Sequence, residues 1–499
     1  MTQAQSILDR RRAGILLHIT SLPGGIGNGD LGQEAFRFVD SLVSCGMTVW
    51  QTLPVGPTHD DGSPYQCMSA HAGDPLLINL EWLVARGWLA ELPEPRREEA
   101  PVDYRRACLH QAYQGFLNKG DGYFGHLYQS FVRKHASWLA DYALYAALRA
   151  EMERRPWQAW PQPIRDREPE ALLSERERLA EKIGQVQFEQ FIFYRQWAEL
   201  RAYASSRGVI LFGDMPIFVA CDSADVWANR EYFDLREDGQ PRVVAGVPPD
   251  YFSSIGQRWG NPHYIWARME ADGFAWWKER MGSLLELYDW VRIDHFRGFE
   301  AYWEIPVEEP TAINGRWVKA PGEALLKALY EQVDGVGLPL VAENLGIITP
   351  EVEALRALFD IPGMLILQFG FDGGSDNPYL PSNHAENNVV YTGTHDNDTT
   401  LSWFETLSDG QRQQVLQLLG HPQEPMPRAL VESALASKAR LAILPMQDVL
   451  ELGGEHRMNT PGTVGNGNWR WRFSWDQVKP EYLIWLGRQA RCNGRTGWR

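Results

Sequence analysis

The chain has 499 residues, of which 44% are hydrophobic and 22% charged, and its formal net charge is −16. This length exceeds that of one ordinary domain, although a barrel with insertions accommodates it, and the composition is that of a globular protein. The negative charge argues against nucleic acid as a partner and for a neutral or small ligand.

The five cysteines are scattered along the chain, and none of them has CxxC spacing. This pattern argues against a disulfide framework or a zinc site and favours a reducing compartment. Residues 1–12 are polar and lack the apolar core of a signal peptide. No run reaches the roughly 18 apolar residues of a membrane-spanning helix. We therefore predict a cytoplasmic protein that binds neither nucleic acid nor membranes.

Eight segments have the apolar, β-branched or aromatic character of buried strands, and turn or helix signals separate them. In chain order they are residues 14–19, 48–55, 209–219, 290–298, 338–344, 364–369, 388–396 and 441–445. Helical patterns lie between most pairs, at residues 34–44, 321–332, 349–358 and 409–419. The alternation predicts parallel strands joined by right-handed crossovers.

Two insertions interrupt this alternation. Residues 82–205 have helical patterns only, and Phe188, Phe191 and Ile192 share one face of a long predicted helix. Because strand-type segments resume directly afterwards, we interpret this block as a helical insertion between the second and third strands. Residues 220–289 form a second insertion, between the third and fourth strands.

Eight strand–helix units predict a closed (β/α)8 barrel with insertions, spanning residues 1–499 as one domain. The alternative is a doubly wound open sheet, which would carry a glycine-rich phosphate-binding turn after its first strand. The loop after Ile19 has no GxGxxG followed by a helix, so the barrel is favoured.

Four of the predicted strands, the third, fourth, fifth and seventh, end in an acidic residue: Asp214, Asp294, Glu343 and Asp396. In a barrel of this type, such residues at the C-terminal strand ends are typical of catalytic groups. Arg292 lies on the same strand face as Asp294, so we expect it to depress the pKa of this carboxyl and keep it ionised, as suits a nucleophile. Glu343 emerges from an apolar run, and partial desolvation should raise its pKa, as suits a general acid/base.

Each acid also has a purely structural interpretation. Asp294 and Arg292 could simply cap a strand end, and Glu343 could cap the turn at residues 344–346. Asp396 could form an Asx-turn or a helix N-cap, although Asp398 fits the capping role better.

The catalytic interpretation has a definite chemistry. Two carboxyls about 5–5.5 Å apart across a glycosidic bond perform retaining chemistry, one as nucleophile and one as proton donor. A third acid can bind sugar hydroxyls, as can the histidines beside two of the acids, His295 and His395.

Several motifs resemble those of a known family. Residues 292–298 (RIDHFRG), 342–346 (AENLG) and 394–396 (THD) are similar to strand motifs of the α-amylase clan. Residues 246–253 (GVPPDYFS) and 256–262 (GQRWGNP) resemble a signature loop of the 4-α-glucanotransferases, or amylomaltases, of glycoside hydrolase family 77. The resemblance extends to 63–66 (SPYQ), 213–217 (GDMPI) and 457–463 (RMNTPGT), and covers residues 14–471.

The resemblance implies that Asp294 is the nucleophile, Glu343 the acid/base and Asp396 the transition-state stabiliser. It implies further substrate-binding residues, which are Ser63, Tyr65, Asp214, Gln257, Trp259, Arg292, His295, His395 and Asn468. Gln257 and Trp259 would act from a mobile lid at residues 246–264. His71 and Asp74 depart from the family pattern, in which we expect an aromatic residue and an asparagine.

The implied activity is transfer of an α-1,4-glucan segment to the 4-OH of glucose or another glucan. Maltooligosaccharides and α-1,4-glucans would be donors and acceptors, no cofactor or metal is needed, and the protein would be a monomer or a homodimer. One rival is a hydrolase of the same clan, but those usually carry a β-sandwich after the barrel, and only residues 446–499 follow the eighth predicted strand. A non-catalytic glucan-binding barrel is the other rival, and the retention of all three acids with Arg292 argues against it.

Overall fold

The computed structural model describes residues 8–96, 98–119, 122–249, 253–333, 337–465 and 467–497. Eight parallel strands are paired in chain order around a barrel, and each corresponds to a predicted strand. They are Arg12–Leu16, Val49–Gln51, Ile210–Pro216, Trp290–Asp294, Leu340–Ala342, Gly363–Ile366, Asn388–Tyr391 and Leu441–Pro445. The first strand pairs with both the second and the eighth.

Hydrogen bonds also connect the fifth and sixth strands, which complete the ring. The Ala342 N–H donates to the Pro362 carbonyl at 2.8 Å, and the Met364 N–H donates to Oδ1 of Asn344 at 2.8 Å. The barrel strands are buried almost throughout, which explains why their sequences are continuous apolar runs. Gly14 is required in the first strand because a Cβ there would lie 2.3 Å from the Val49 carbonyl oxygen. The (β/α)8 prediction is confirmed.

Helices surround the barrel and fill the first insertion. Those of eight or more residues are Gln33–Ser44, Pro101–Lys119, Gly122–Lys134, Ala136–Glu151, Pro169–Arg178, Ala180–Ser206, Ala275–Leu287, Gly322–Gln332, Pro350–Leu358, Asp409–Leu418, Arg428–Ala436 and Pro480–Cys492. Shorter ones are Leu80–Ala85, Gln162–Arg165, Ala224–Ala228, Trp266–Ala271, Thr400–Thr406 and Met446–Val449. Between the sixth and seventh strands, the described residues form only two 3-10 turns, Leu367–Phe369 and Pro381–Asn383. None of the helices in the described ranges is long and apolar enough to cross a membrane.

The helix Ala180–Ser206 packs the first insertion against the barrel. Phe188, Phe191 and Ile192 are buried on it, as predicted. Its Trp197 donates from Nε1 to the Leu287 carbonyl at 2.7 Å, in the helix that precedes the fourth strand. The inserted helices therefore share the core of the barrel.

A second sheet, which the sequence did not predict, lies beside the barrel. Its four antiparallel strands, in spatial order, are Gln257–Pro262, Val243–Val247, Ala301–Pro306 and Arg316–Lys319. Val244, Ile305 and Ala312 form a small apolar cluster of their own on it. The segment predicted as a loop at residues 246–264 is thus strand at both ends, and residues 250–252 lie outside the described residues.

The chain after the eighth barrel strand contains helices and 3-10 turns. No strand occurs within the described residues 446–465 and 467–497. This part of the chain packs back onto the barrel: Nη1 of Arg495 donates to the Arg12 carbonyl, at the start of the first strand, at 2.9 Å.

Candidate active site

A buried arginine connects two of the predicted acids at the C-terminal end of the barrel. Nη1 of Arg292 donates to both carboxylate oxygens of Asp214 at 2.8 Å, and its Nη2 lies 2.9 Å from Oδ1 of Asp294. Tyr65 donates its hydroxyl hydrogen to Oδ2 of Asp214 at 2.7 Å. Asp214 is fully buried, whereas the side chain of Asp294 is 31% exposed. Asp294 is therefore the carboxylate of this group that a substrate can reach.

The pKa of Asp294 differs from the expectation. Burial raises it above its ordinary value, with Asp214 and Asp396 adding to the rise, while the Arg292 guanidinium and His395 oppose it. The predicted depression is therefore wrong in direction: the sequence showed the neighbouring arginine but not the extent of burial or the nearby acids. The direct contact with Arg292 nevertheless keeps the pKa of Asp294 lower than burial alone would make it, which favours the ionised carboxylate.

Glu343 is held by backbone amides. The His295 N–H donates to Oε2 at 2.7 Å, and the Leu345 N–H donates to Oε1 at 3.0 Å. Burial, together with the charge of Asp294, raises the pKa of Glu343 to about 7, against the opposing effects of Arg292 and the two amides. The predicted rise is confirmed. The hydrogen bond from Leu345 shows that Glu343 also caps the turn at residues 344–346, as its structural interpretation predicts.

His295 directly follows the fourth strand and adopts the left-handed region, with φ of 55°. Its ring is buried, and the edge-to-face contact with Trp259 has a centroid distance of 4.9 Å. Among the described residues, Nε2 of this ring has no hydrogen-bond partner. Burial lowers the pKa of His295 to about 3, so the ring is neutral and can donate to or accept from a ligand hydroxyl.

Asp396 lies in a turn five residues after the seventh strand, and not at a strand end as expected. The side chain of Asn397 accepts the Thr394 N–H at 2.8 Å, which closes the turn after the glycine at position 393. Nδ2 of Asn459 donates to Oδ1 of Asp396 at 2.7 Å, and Nε2 of His395 lies 3.4 Å from the same oxygen. The side chain of Asp396 remains 45% exposed.

The helix after this turn begins differently from the expectation. Its N-cap is Thr399, whose side chain accepts the Ser402 N–H, whereas Asp398 accepts the hydroxyl of Ser402 at 2.8 Å. Because Asp398 and Thr399 make the contacts of the helix start, Asp396 is left free for the cleft.

Aromatic rings line the site beside these acids. Tyr65 stacks on His395 with a centroid distance of 5.1 Å, and Trp469 lies 5.8 Å from Tyr65. Ser63 is two residues before Tyr65, and its hydroxyl accepts the Tyr65 N–H at 3.4 Å. Trp469 and Asn459 are not among the predicted site residues. Their position in the loop after the eighth barrel strand is the signal that could have found them, since all such loops meet at one end of the barrel.

Two further predicted residues lie on the strand Gln257–Pro262. Nε1 of Trp259 donates to Oε1 of Gln257 at 3.1 Å, and the indole reaches His295 as described above. Asn468 is different, because its amide groups bond within its own loop. Oδ1 accepts the Thr460 N–H at 3.1 Å, and Nδ2 donates to Thr463. These bonds brace the loop that carries Asn459.

Of the two residues that depart from the family pattern, His71 is buried and Asp74 is half-buried. His71 bonds to the Ser283 hydroxyl at 2.8 Å and stacks on Trp138, while Asp74 accepts the Leu76 N–H at 2.9 Å. A cavity with about 560 Å³ of empty space is lined by His71 together with Tyr65 and Asp214.

Comparison with known proteins identifies the family. A family model described as 4-α-glucanotransferase, of glycoside hydrolase family 77, matches residues 17–477. The chain belongs to this family. It is 49% identical to a 4-α-glucanotransferase of Thermus thermophilus, over 97% of this chain and 99% of the relative. A chloroplastic/amyloplastic 4-α-glucanotransferase of Solanum tuberosum is 45% identical over 93% of this chain and 82% of the relative.

Solved structures of the family have the same fold. An amylomaltase of Streptococcus agalactiae, in complex with acarbose, matches with a TM-score of 0.93 at 37% identity, over 98% of this chain and 100% of that one. The amylomaltase of Corynebacterium glutamicum matches with a TM-score of 0.74 at 18% identity, over 99% of this chain and 77% of that one, which supports the fold alone. The chain is thus a transferase of the glycoside hydrolase type, built on a (β/α)8 barrel.

Proposed function

We propose that this family member transfers an α-1,4-glucan segment to the 4-OH of glucose or another glucan by retaining double displacement. Asp294 attacks the anomeric carbon while Glu343 protonates the departing glycosidic oxygen. The covalent glycosyl-enzyme is then attacked by the acceptor hydroxyl, from which Glu343 removes the proton. Asp396 stabilises the positive charge that develops on the sugar ring.

The contrast between the two central carboxyls carries this proposal. Asp294 contacts a guanidinium, which favours its charge, whereas Glu343 is held by two amides and has a pKa of about 7. Two carboxyls in such different environments suit the separate roles of nucleophile and proton carrier at neutral pH. The direct bond from Asn459 orients Asp396 for the third role.

Eight further residues are proposed to bind the donor and acceptor sugars. Nε2 of His295, which has no hydrogen-bond partner among the described residues, can bind a sugar hydroxyl. The ring of His395, which stacks on Tyr65, can do the same through its nitrogens. Arg292 and Asp214 are proposed to bind the sugar beside them. Tyr65 and Trp259 offer rings on which the apolar face of a sugar can lie, with Gln257 and Ser63 next to them. Asn468 is proposed to act by bracing its loop, since its amide is engaged there.

We propose that residues 1–499 form one catalytic barrel domain, in which residues 82–205 are a helical insertion and residues 246–264 form a lid. Acarbose in the Streptococcus agalactiae amylomaltase supports an oligosaccharide of glucose type as ligand. The five free cysteines support a reducing, cytoplasmic location.

The product ladder from pure maltotriose tests transfer against hydrolysis. A covalent intermediate partitions between water and a sugar hydroxyl, and a bound, oriented acceptor wins by proximity. Maltotriose should become glucose plus maltotetraose and longer chains, with the total of reducing ends nearly constant. A steady rise in reducing ends would show that the enzyme is a hydrolase.

A further inference from the structure

Arg297 connects the two chain segments that hold Glu343, although it lies outside the group of substrate-binding residues. It follows His295 by two residues, and its Nη1 donates to the Ile347 carbonyl, in the segment after the fifth strand. Trp317 of the outer sheet covers the guanidinium, whose Cζ lies 3.7 Å from the centroid of the indole ring. Arg297 itself is 6% exposed.

Each of the two segments gives one hydrogen bond to the same carboxyl. The amide of His295, before Arg297, donates to Oε2 of Glu343, and the amide of Leu345, before Ile347, donates to Oε1. The bond from His295 joins the two segments, whereas the bond from Leu345 lies within the segment that carries Glu343, so both oxygens are held only while that segment keeps its course beside His295. The contact from Arg297 to Ile347 is a direct link between them.

The segment after the fifth strand needs such a link. Its beginning is fixed by Asn344, which accepts the Met364 N–H at 2.8 Å and donates to Glu353 at 2.7 Å. Further along, Ile347 is 55% exposed, and Gly346 is exposed in the left-handed region, with φ of 81°. A short exposed stretch with a glycine has little packing to hold it, so the Arg297 contact is its second anchor.

The outer sheet supports this anchor from the other side. Trp317 packs edge-to-face on Trp303 with a centroid distance of 5.2 Å, and Nε1 of Trp303 donates to the Ala312 carbonyl at 2.9 Å. The indole of Trp317 is thereby held in place over the guanidinium, where a cation is attracted by the ring face. The stack fixes the direction in which Arg297 donates.

We propose that Arg297, stacked on Trp317, is a positioning residue for Glu343, acting through the Leu345 and His295 amides. The inference rests on the acid/base role of Glu343 in the proposed function. Without the link, the segment after the fifth strand moves away and the Leu345 N–H is lost from Oε1. Protonation of the leaving oxygen then becomes slower, while attack by Asp294 is unaffected.

The first test compares two donors in single-turnover measurements of glycosyl-enzyme formation. Maltotriose needs protonation of its leaving oxygen, whereas α-maltotriosyl fluoride has a leaving group that departs without an acid. Arg297→Met should slow the reaction of maltotriose about tenfold or more, as expected for the loss of a charge-assisted hydrogen bond, and that of the fluoride less than about twofold. A change that merely damages the fold would slow both donors equally.

The second test uses the pH dependence of kcat/KM for maltotriose. The Leu345 amide favours the ionised form of Glu343, so its loss raises the pKa of this carboxyl further above its present value of about 7. Because the acid acts while protonated, the basic limb of the profile should move to higher pH in Arg297→Met. A basic limb at the wild-type position would overturn the proposal.

Two substitution series separate the stack from the hydrogen bond. Arg297→Lys keeps a hydrogen-bond donor but not the flat cation that stacks on the ring. Trp317→Phe keeps an aromatic ring, whereas Trp317→Ala removes it. Trp317→Phe should therefore lose less of the maltotriose rate than Trp317→Ala. Arg37→Met is the matched control, because Arg37 covers Trp475 at 4.2 Å in a similar stack on the first helix. It should leave both donors and the pH profile unchanged.

Glu343→Gln distinguishes failure of this inference from failure of the proposed function. If Glu343→Gln is selectively slow with maltotriose but Arg297→Met slows both donors equally, only the positioning role is wrong. If Glu343→Gln slows both donors equally, Glu343 is not the acid, and the proposed function fails with the inference.

Discussion

Replacing Arg292 with leucine tests the electrostatics of the site most directly. The guanidinium lowers the pKa of both Asp294 and Glu343, and it is the largest opposing influence on each. Its removal should therefore raise both values, and the whole bell-shaped pH profile of kcat/KM should move to higher pH. The nucleophile would need a higher pH to ionise, and the acid would keep its proton to a higher pH.

The size of this shift follows from the contacts. Nη2 of Arg292 forms an ion pair with Oδ1 of Asp294 at 2.9 Å, and an opposite charge at such a distance lowers the pKa of a carboxyl by about one to three units. The side chain of Asp294 is partly exposed, so the acidic limb should move by about one to two pH units. The basic limb should move less, because within the described part of the chain Arg292 makes no ion pair with Glu343 and acts on its pKa over a longer distance.

Arg292→Leu should also destabilise the fold. Among the described residues it leaves buried Asp214 with the Tyr65 hydroxyl as its only hydrogen-bond partner, and breaking a buried ion pair in this way costs about 3–5 kcal/mol. Urea unfolding at neutral pH measures this loss, and kinetics must be recorded below the onset of unfolding.

A second buried arginine provides the control. Arg105 lies in the inserted helix Pro101–Lys119 and is 2% exposed. It pairs with Asp30 at 3.4 Å. Arg105→Leu should cost comparable stability while leaving both limbs of the pH profile in place. If Arg292→Leu lowers activity at every pH without moving either limb, Arg292 does not control the charge of the two acids, and the electrostatic reasoning is refuted.

Three more outcomes are expected. Asp294→Asn should abolish turnover with little change in glucan affinity, and a glycosyl fluoride should leave an adduct on Asp294 in Glu343→Gln, detected by peptide mass spectrometry; labelling of another residue contradicts the assignment. In the unmodified enzyme, kcat/KM should fall above pH about 7 as Glu343 loses its proton. Trp259→Ala, which removes the ring against His295, should weaken transfer to long glucans more than to glucose, and equal losses would count against a lid.

The barrel could be predicted from the sequence because buried parallel strands consist of continuous runs of apolar residues. Their ends could not. The seventh strand was expected to reach Asp396, but it ends at Tyr391, where Thr392 turns its hydroxyl to Asp448 at 2.5 Å. A side-chain bond to a residue 56 positions away decides that boundary, and nothing local in the sequence shows it.

The second sheet was missed for a related reason. The strand Ala301–Pro306 pairs with Val243–Val247, and the intervening chain contains a whole barrel strand. Short strands of this kind form because they pair with a strand that is distant in the sequence, so their own residues do not predict them. A buried barrel strand can be recognised from its own apolar residues. The same limit applies to Asp294, whose neighbouring arginine is visible in the sequence although its burial depends on the entire mouth of the barrel.

Three carboxyls of the site, those of Asp214, Glu343 and Asp396, are each held by a group from the neighbouring strand or its loop, whereas Asp294 pairs with Arg292 of its own strand. Glu343, directly after the fifth strand, accepts from His295 after the fourth, and Asp396, after the seventh, accepts from Asn459 after the eighth. Asp214, on the third strand, is held by Arg292 on the fourth, which also reaches Asp294. Because each pair spans two adjacent strands, the geometry of the acids depends on the register of the barrel. Motifs spread over several hundred residues of sequence can therefore act as one site.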